Sequence, residues 1–149
     1  MDELELEFEL DSRLANDCIV LGDFSLSRLL LMNDANYPWF ILVPRRAGAT
    51  EIYHLSQEDQ HQLIDESSEL AEIMADSFSA RKMNIANLGN MVAQLHVHHV
   101  ARDEGDPAWP GPVWGKRPAV PYSAEQVTEI RKRVESMLSG SLSFVVCEK

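Results

Sequence analysis

Apolar residues in the first third of the chain come in short runs broken by turn formers. Cys18–Leu21 (CIVL), Arg28–Met32 (RLLLM) and Trp39–Val43 (WFILV) read as three strands. Gly22-Asp23 and the stretch Asn33 to Pro38 punctuate them, and such short connections suit antiparallel pairing. Upstream, residues 3–10 (ELELEFEL) alternate with period two, as an edge strand or an extended arm would. From Ser56 the period lengthens. Leu63, Leu70, Met74 and Phe78 keep one face, Ile64, Ala71 and Ile73 widen it, and Asp59 lies three residues after a capping serine. The pattern predicts a helix from Ser56 to about Ser79. Two more strands follow at Met83–Ala86 and Leu95–Ala101, joined through Asn87-Leu88-Gly89-Asn90. A second helix opens at Ser123 with Gln126 completing an S-x-x-Q box. It presents Val127, Ile130, Val134, Met137 and Leu138 on one face and stops at Gly140. The tail, residues 141–149, is expected to add a strand or pack on a partner. The sum is an α+β protein: an antiparallel sheet of about five strands, one long helix packed on it and an additional C-terminal helix.

Composition narrows the function classes. A chain of 149 residues with 45% hydrophobic content is expected to form a single domain with a real core. The net charge of −11 argues against a nucleic-acid polymer as partner, because phosphate contacts need a basic face. No apolar run approaches the ~20 residues of a spanning helix, and MDELELEFEL lacks the basic-then-apolar order of a signal peptide. No membrane association is expected, and a cytoplasmic location is. Cys18 and Cys147 lie far apart in the chain and outside any CxxC, so they read as free thiols. Charge is unevenly placed: between Ser77 and Arg102 there is no Asp or Glu. A small anion could be tolerated there although the whole chain is acidic.

That acid-free segment holds QLHVHHVAR, Gln94 to Arg102, with three of the five histidines. On a strand, Gln94, His96 and His98 share one face; Leu95, Val97 and His99 share the other. Three polar positions in a row need partners or a function. His99, on the apolar face, reads as structural, near the strand's exposed end. A metal reading starts from the His96-x-His98 pair but needs a third ligand. At the spacing where a cupin-type site would supply a carboxylate stands Arg102. His54 and His61 could contribute only if the helix packs suitably. The other reading uses neutral imidazole as a nucleophile toward phosphorus, with hydrogen-bond donors around the phosphate and little negative charge nearby.

These residues resemble the H-φ-H-φ-H-φ-φ signature of histidine-triad (HIT) proteins, with Gln94 in the first histidine's place. Gly89-Asn90-Met91-Val92 resembles the family's G-Q-x-V. Asn33 stands where the family puts a ribose-contacting Asn or Asp, and Pro44 closes WFILVP like the family's strand ending in Pro. The resemblance covers about residues 18–102, with 103–149 as an extension. It implies a HIT-like fold, usually a homodimer, acting on a small-molecule nucleotide. The reaction implied is hydrolysis or transfer at the α-phosphate through a nucleotidyl-histidine, with no cofactor and no obligatory metal. Carried over, His96 is the nucleophile, His98 a catalytic phosphate contact, Gln94 the first triad position, Asn90 a phosphate contact and Asn33 a ribose contact. Gln94 cannot carry an exchangeable proton at neutral pH, and Asn90 is one methylene shorter than Gln. The alternatives are a catalytically weak nucleotide-binding module and a metal-dependent cupin-type enzyme.

The loop Asp106–Gly115 (DPAWPGPVWG) follows directly. Trp109 and Trp114 could stack on a base, but covering the sheet or a dimer contact is the expected role. Lys116, Arg117, Arg45 and Arg46 read as solvated cations, and His54 and His61 as solvent-facing.

Overall fold

The computed structural model describes residues 7–140 and 143–147. A short helix α1 (Ser12–Asp17) leads into strands β1 (Cys18–Asp23), β2 (Ser27–Met32) and β3 (Trp39–Pro44). A single 3-10 turn (Ile52–His54) precedes the long helix α2 (Gln57–Ser77), followed by β4 (Lys82–Ala86), β5 (Val97–Arg102), helix α3 (Ala124–Met137) and a short β6 (Val145–Val146). The strands form one six-stranded sheet in the order β4-β5-β3-β2-β1-β6, and every pairing is antiparallel. The α+β architecture read from the sequence is the one observed, with β6 completing the sheet. Among the described residues, no helix is long and apolar enough to cross a membrane.

Period two explains why the central runs are apolar throughout. Leu29, Leu31, Phe40, Leu42, Val97 and Ala101 face the helices and meet Leu63, Leu70 and Met74 of α2 and Val134 with Leu138 of the α3 region. Leu30, Ile41, Val43 and Val100 face the other way, against Leu14, Tyr37, Trp39, Ala108 and Val113. Both faces of β3 are therefore covered, and all six of its residues are buried. Each fully buried aliphatic side chain contributes roughly 1.5–3 kcal/mol against leaving it in water. Helices α2 and α3 cover one face; α1, the arm before it and the tryptophan loop cover the other.

Buried polar groups tie the helical layer to the sheet. Glu66 is fully buried on the inner face of α2, and its carboxylate accepts the backbone N–H groups of Leu26 (2.8 Å) and Ser27 (3.1 Å) at the start of β2. Ser67 meets His99 of β5 at 2.7 Å. Burying such groups is tolerable because each finds a partner.

The helix starts follow their caps. The Ser56 side chain accepts the Asp59 N–H, and Ser123 with Gln126 forms the reciprocal box. Several boundaries differ from the sequence pattern. Residues 3–6 of the alternating arm lie outside the described residues, and 7–10 form no strand; Phe8 and Leu10 instead pack on the second core. Helix α1 was not anticipated, although Asp11 caps it by accepting the Arg13 N–H at 2.8 Å. β5 begins at Val97 rather than Leu95, because Leu95 donates its N–H to Ala49 of a loop and not to a ladder. The tail does pair: Gly22 and Asp23 oppose Val146 and Val145. A Cβ at Gly22 would strike the Val145 carbonyl and the Phe144 ring, so only glycine lets β6 lie there.

Candidate active site

A cavity of about 350 Å³ opens on the sheet face away from α2. His96 and His98 form its floor, Trp114 and Met32 flank them, Leu88 to Val92 make one wall, and Arg13, Leu14 and Asp17 of α1 make the other. The volume falls at the small end of the ~300–1,000 Å³ typical of small-molecule sites. Gly89, at φ +84°, has the left-handed backbone that lets its loop turn at this wall.

The histidines have defined protonation. Nδ1 of His96 lies 2.7 Å from the backbone carbonyl of Gln94. A carbonyl oxygen only accepts, so Nδ1 carries the proton and the Nε2 lone pair is free. His98 is the complement. Its Nδ1 accepts the indole N–H of Trp39 at 3.0 Å, so neutral His98 carries its proton on Nε2 and is a donor. The two rings sit edge-on with centroids 4.9 Å apart. Burial, followed by the nearby His96 and His99 rings, pulls the His98 pKa down to about 3, which keeps it neutral. The site thus pairs one imidazole offering a lone pair with one offering an N–H.

His99 lies on the opposite face and is fully buried in mid-sheet, not at an exposed end. Its Nδ1 donates to the Val97 carbonyl at 3.1 Å, and its Nε2 accepts from Ser67. Burial lowers its pKa to about 4, against the raising effect of the Val97 bond. It is structural.

The loop after β5 is built around Arg102, only 2% exposed. Its guanidinium pairs with Asp106 at 2.7 and 3.0 Å, donates to Asn84 Oδ1 at 2.7 Å, and lies against the Tyr37 and Trp109 rings. Burial would raise the Asp106 pKa. The Arg102 bond, the Asp103 and Ala108 N–H groups and the Arg102 charge outweigh it and hold the carboxyl at about 2. The same loop brings the Trp114 ring to 5.3 Å from His98 and 5.9 Å from Trp39.

The HIT domain model matches residues 13–105, more than half of the chain. The chain belongs to the HIT domain family. Solved structures agree with this assignment. A histidine triad protein from Marinobacter aquaeolei VT8 is 53% identical, with TM-score 0.86 over 88% of this chain and 96% of that one. One from Sinorhizobium meliloti 1021 is 44% identical, with TM-score 0.87 over 90% and 99%. One from Bradyrhizobium japonicum is 43% identical, with TM-score 0.86 over 89% and 98%. A search of curated proteins finds no match.

Within this HIT fold the residues singled out from the sequence separate. His96, His98 and Asn90 line one cavity. Asn33 does not: its side-chain oxygen accepts the Tyr122 N–H at 2.8 Å, and Met32 takes the place on the cavity side. Alternation along β2 explains this, since Leu30 and Met32 belong to the cavity face and the next residue is turned toward the helices. The Gln94 side chain also stays out of the cavity. Its Oε1 accepts the Asp11 N–H and its Nε2 donates to the Glu9 carbonyl, so only its backbone serves His96. Trp114 lines the cavity, while Trp109 covers Arg102. The sequence reading missed Arg13 and Asp17, which reach the cavity on the unanticipated helix α1.

The cupin-type alternative does not survive. Its jelly roll needs two packed sheets, and here one sheet is backed by helices. Among the described residues, no group of three or more His, Cys, Asp or Glu side chains is arranged to hold a metal ion. His54 and His61 are exposed. Arg46 is bound to Asp59, Arg45 donates to the Phe24 and Ser25 carbonyls, and Lys116 and Arg117 are exposed. Burial and the Asp17 charge push the Cys18 thiol up to about 12, which makes it unreactive.

Proposed function

We propose that this HIT protein is a nucleotide hydrolase or nucleotidyltransferase that works at an α-phosphate through a nucleotidyl-histidine on His96. The observation that carries the reading is the His96 Nδ1–H bond to the Gln94 carbonyl, which leaves Nε2 as the nucleophile in the cavity. The Nε2 lone pair attacks phosphorus, and the bond to the leaving group breaks with its electron pair on that group. The carbonyl of Gln94 stabilises the positive charge the ring acquires. Water then attacks phosphorus, the P–N pair returns to Nε2, and the proton lost by the water passes to solvent. A second nucleophile in place of water gives transfer. His98, with Nε2–H, and the Asn90 amide donate to the non-bridging oxygens, whose charge grows in the transition state. Family membership supports the reaction class, since HIT proteins are typically nucleotide hydrolases or transferases.

The family's first histidine is replaced by Gln94 in this reading. Its side chain is occupied by the N-terminal arm and supplies no proton to a leaving group. That observation favours, as the second reading, a nucleotide-binding module with slow turnover. A homodimer also belongs to the proposal. β4 is the outer strand on the cavity side, and Ile85 remains exposed on it, an edge that a second copy can extend. The cytoplasm suits free Cys18 and Cys147.

The test is turnover of nucleoside phosphoramidates and dinucleoside polyphosphates by metal-stripped protein, beside His96→Ala. Expected is a loss of at least about a thousandfold in the variant, with a nucleotide-mass adduct on the unmutated protein after alkaline quench, which preserves the acid-labile P–N bond. Turnover that survives in His96→Ala overturns the mechanism. Nucleotide binding without turnover selects the binding module.

A further inference from the structure

Gln94 latches the N-terminal segment to the strand that carries the histidines. Its two side-chain bonds, to the Asp11 N–H and the Glu9 carbonyl, are each 2.8 Å and join residues more than 80 apart in sequence. Asp11 passes the constraint on by capping α1 through the Arg13 N–H. Leu14, 4% exposed, anchors the helix in the core beneath. The result is a wall fixed relative to His96, with Arg13 and Asp17 one helical turn apart on it.

Among the described residues, Arg13 is the only lysine or arginine lining the cavity. Arg102, the nearest cation in sequence to the histidines, is consumed by Asp106 and Asn84. Among the described residues, no ion pair or side-chain hydrogen bond engages the Arg13 guanidinium.

A nucleotide in this cavity presents its α-phosphate to His96, and whatever lies beyond it is the leaving group. An amine or alkoxide must be protonated as it departs, and Gln94 cannot do that. A phosphate departs as an anion and needs positive charge instead. A guanidinium supplies this with two parallel N–H donors matched to phosphate oxygens.

Resting on the nucleotide-site reading above, we propose that Arg13, held in place by the Gln94 latch, is the specificity-determining residue for an anionic phosphate beyond the α-phosphate. As Nε2 of His96 forms the P–N bond, the P–O bond breaks and its electron pair goes to the departing phosphate oxygen, which Arg13 meets with its N–H groups. Asp17 opposes the same charge from the next turn, so it tempers this preference.

The test is calorimetric titration of the whole chain with a nucleoside 5′-monophosphate and the matching 5′-diphosphate, which needs no turnover. The unmutated protein is expected to favour the diphosphate by roughly tenfold, the size of one charge-assisted contact. Arg13→Gln, at an exposed position that does not threaten folding, should collapse the ratio to about one, and Arg13→Lys should keep part of it. Asp17→Asn should increase it. Gln94→Leu should lower it as Arg13→Gln does and speed amide exchange over residues 9–17. A preference that survives Arg13→Gln overturns the proposal, and so does equal binding of the two nucleotides by the unmutated protein. Binding of neither removes the nucleotide site itself, a different result from binding without preference.

Discussion

The indole N–H of Trp39 donates to Nδ1 of His98 at 3.0 Å, and that bond decides which nitrogen of His98 faces a ligand as a donor. Two neighbouring rings, Trp39 on β3 and Trp114 from the loop after β5, pack against the imidazole. Trp39→Phe keeps an aromatic ring and removes only the donor. Nδ1 then competes for the proton, and part of the population loses its Nε2–H. Nucleotide affinity is expected to fall by about tenfold, with a second His98 tautomer in nitrogen-15 spectra. A merely structural role would lower stability and leave the tautomer unchanged.

Ser67 and His99 form a closed pair in the core. Ser67→Ala strands Nε2 of a histidine that has no access to water, which costs about 1–3 kcal/mol. Replacing both, as Ser67→Ala with His99→Leu, removes the unpaired group along with its partner. The double variant is expected to be more stable than the sum of the single losses implies, read from urea midpoints in a mutant cycle. Additive losses would show that the 2.7 Å contact carries no coupling.

Asp106→Asn leaves the Arg102 guanidinium charged, buried and short of its main partner. Side-chain exposures of 2% and 9% for the two residues leave the pair only weakly screened by solvent. Breaking such a pair from one side costs about 3–5 kcal/mol. Because the same loop presents Trp114 to His98, tryptophan fluorescence and nucleotide affinity should change together with the loss of stability. A stable variant with unchanged fluorescence would show that Arg102 is held adequately by Asn84 and the Tyr37 and Trp109 rings.

Stability should depend on pH through two overlapping windows. His98 and His99 have folded values near 3 and 4 against 6.5 for a free histidine, so the unfolded chain binds more protons between those limits. Stability is therefore greatest above about pH 7 and declines as pH falls from 6.5 toward 4. Asp106 acts lower: its folded value near 2 against 3.8 means its contribution is lost only below that higher figure. Chemical denaturation across this range should show His99→Leu flattening the upper window. An unchanged slope would mean that His99 is not held neutral.

Ile85 tests the assembly. Ile85→Lys puts a charge on the outer strand, where it blocks edge pairing at little cost to the fold. Sedimentation is expected to report a dimer for the unmutated protein and a monomer for the variant. A dimer that persists places the interface elsewhere.

What the sequence by itself determined is local and periodic. Runs such as RLLLM and WFILV are apolar because the sheet is covered on both faces, and Ser56 and Ser123 announce helices through bonds made within one turn. The alternation in QLHVHHVAR is equally local, and it correctly separates His96 and His98 from His99, since adjacent residues on a strand must point apart. What lies across long sequence distances was decided only by the tertiary structure. Trp39 meets His98, Glu66 meets Leu26 and Gln94 meets Asp11 because packed layers bring them within bonding distance, and no spacing in the sequence encodes those pairs. Asn33 shows the limit from the other side. Its place after β2 is readable, but which face it joins depends on the strand's pleat and on Tyr122 arriving from far along the chain. The identity of Gln94 suggested a weakened triad. Its environment makes it a latch, because a side chain's role is set by the groups that fold against it.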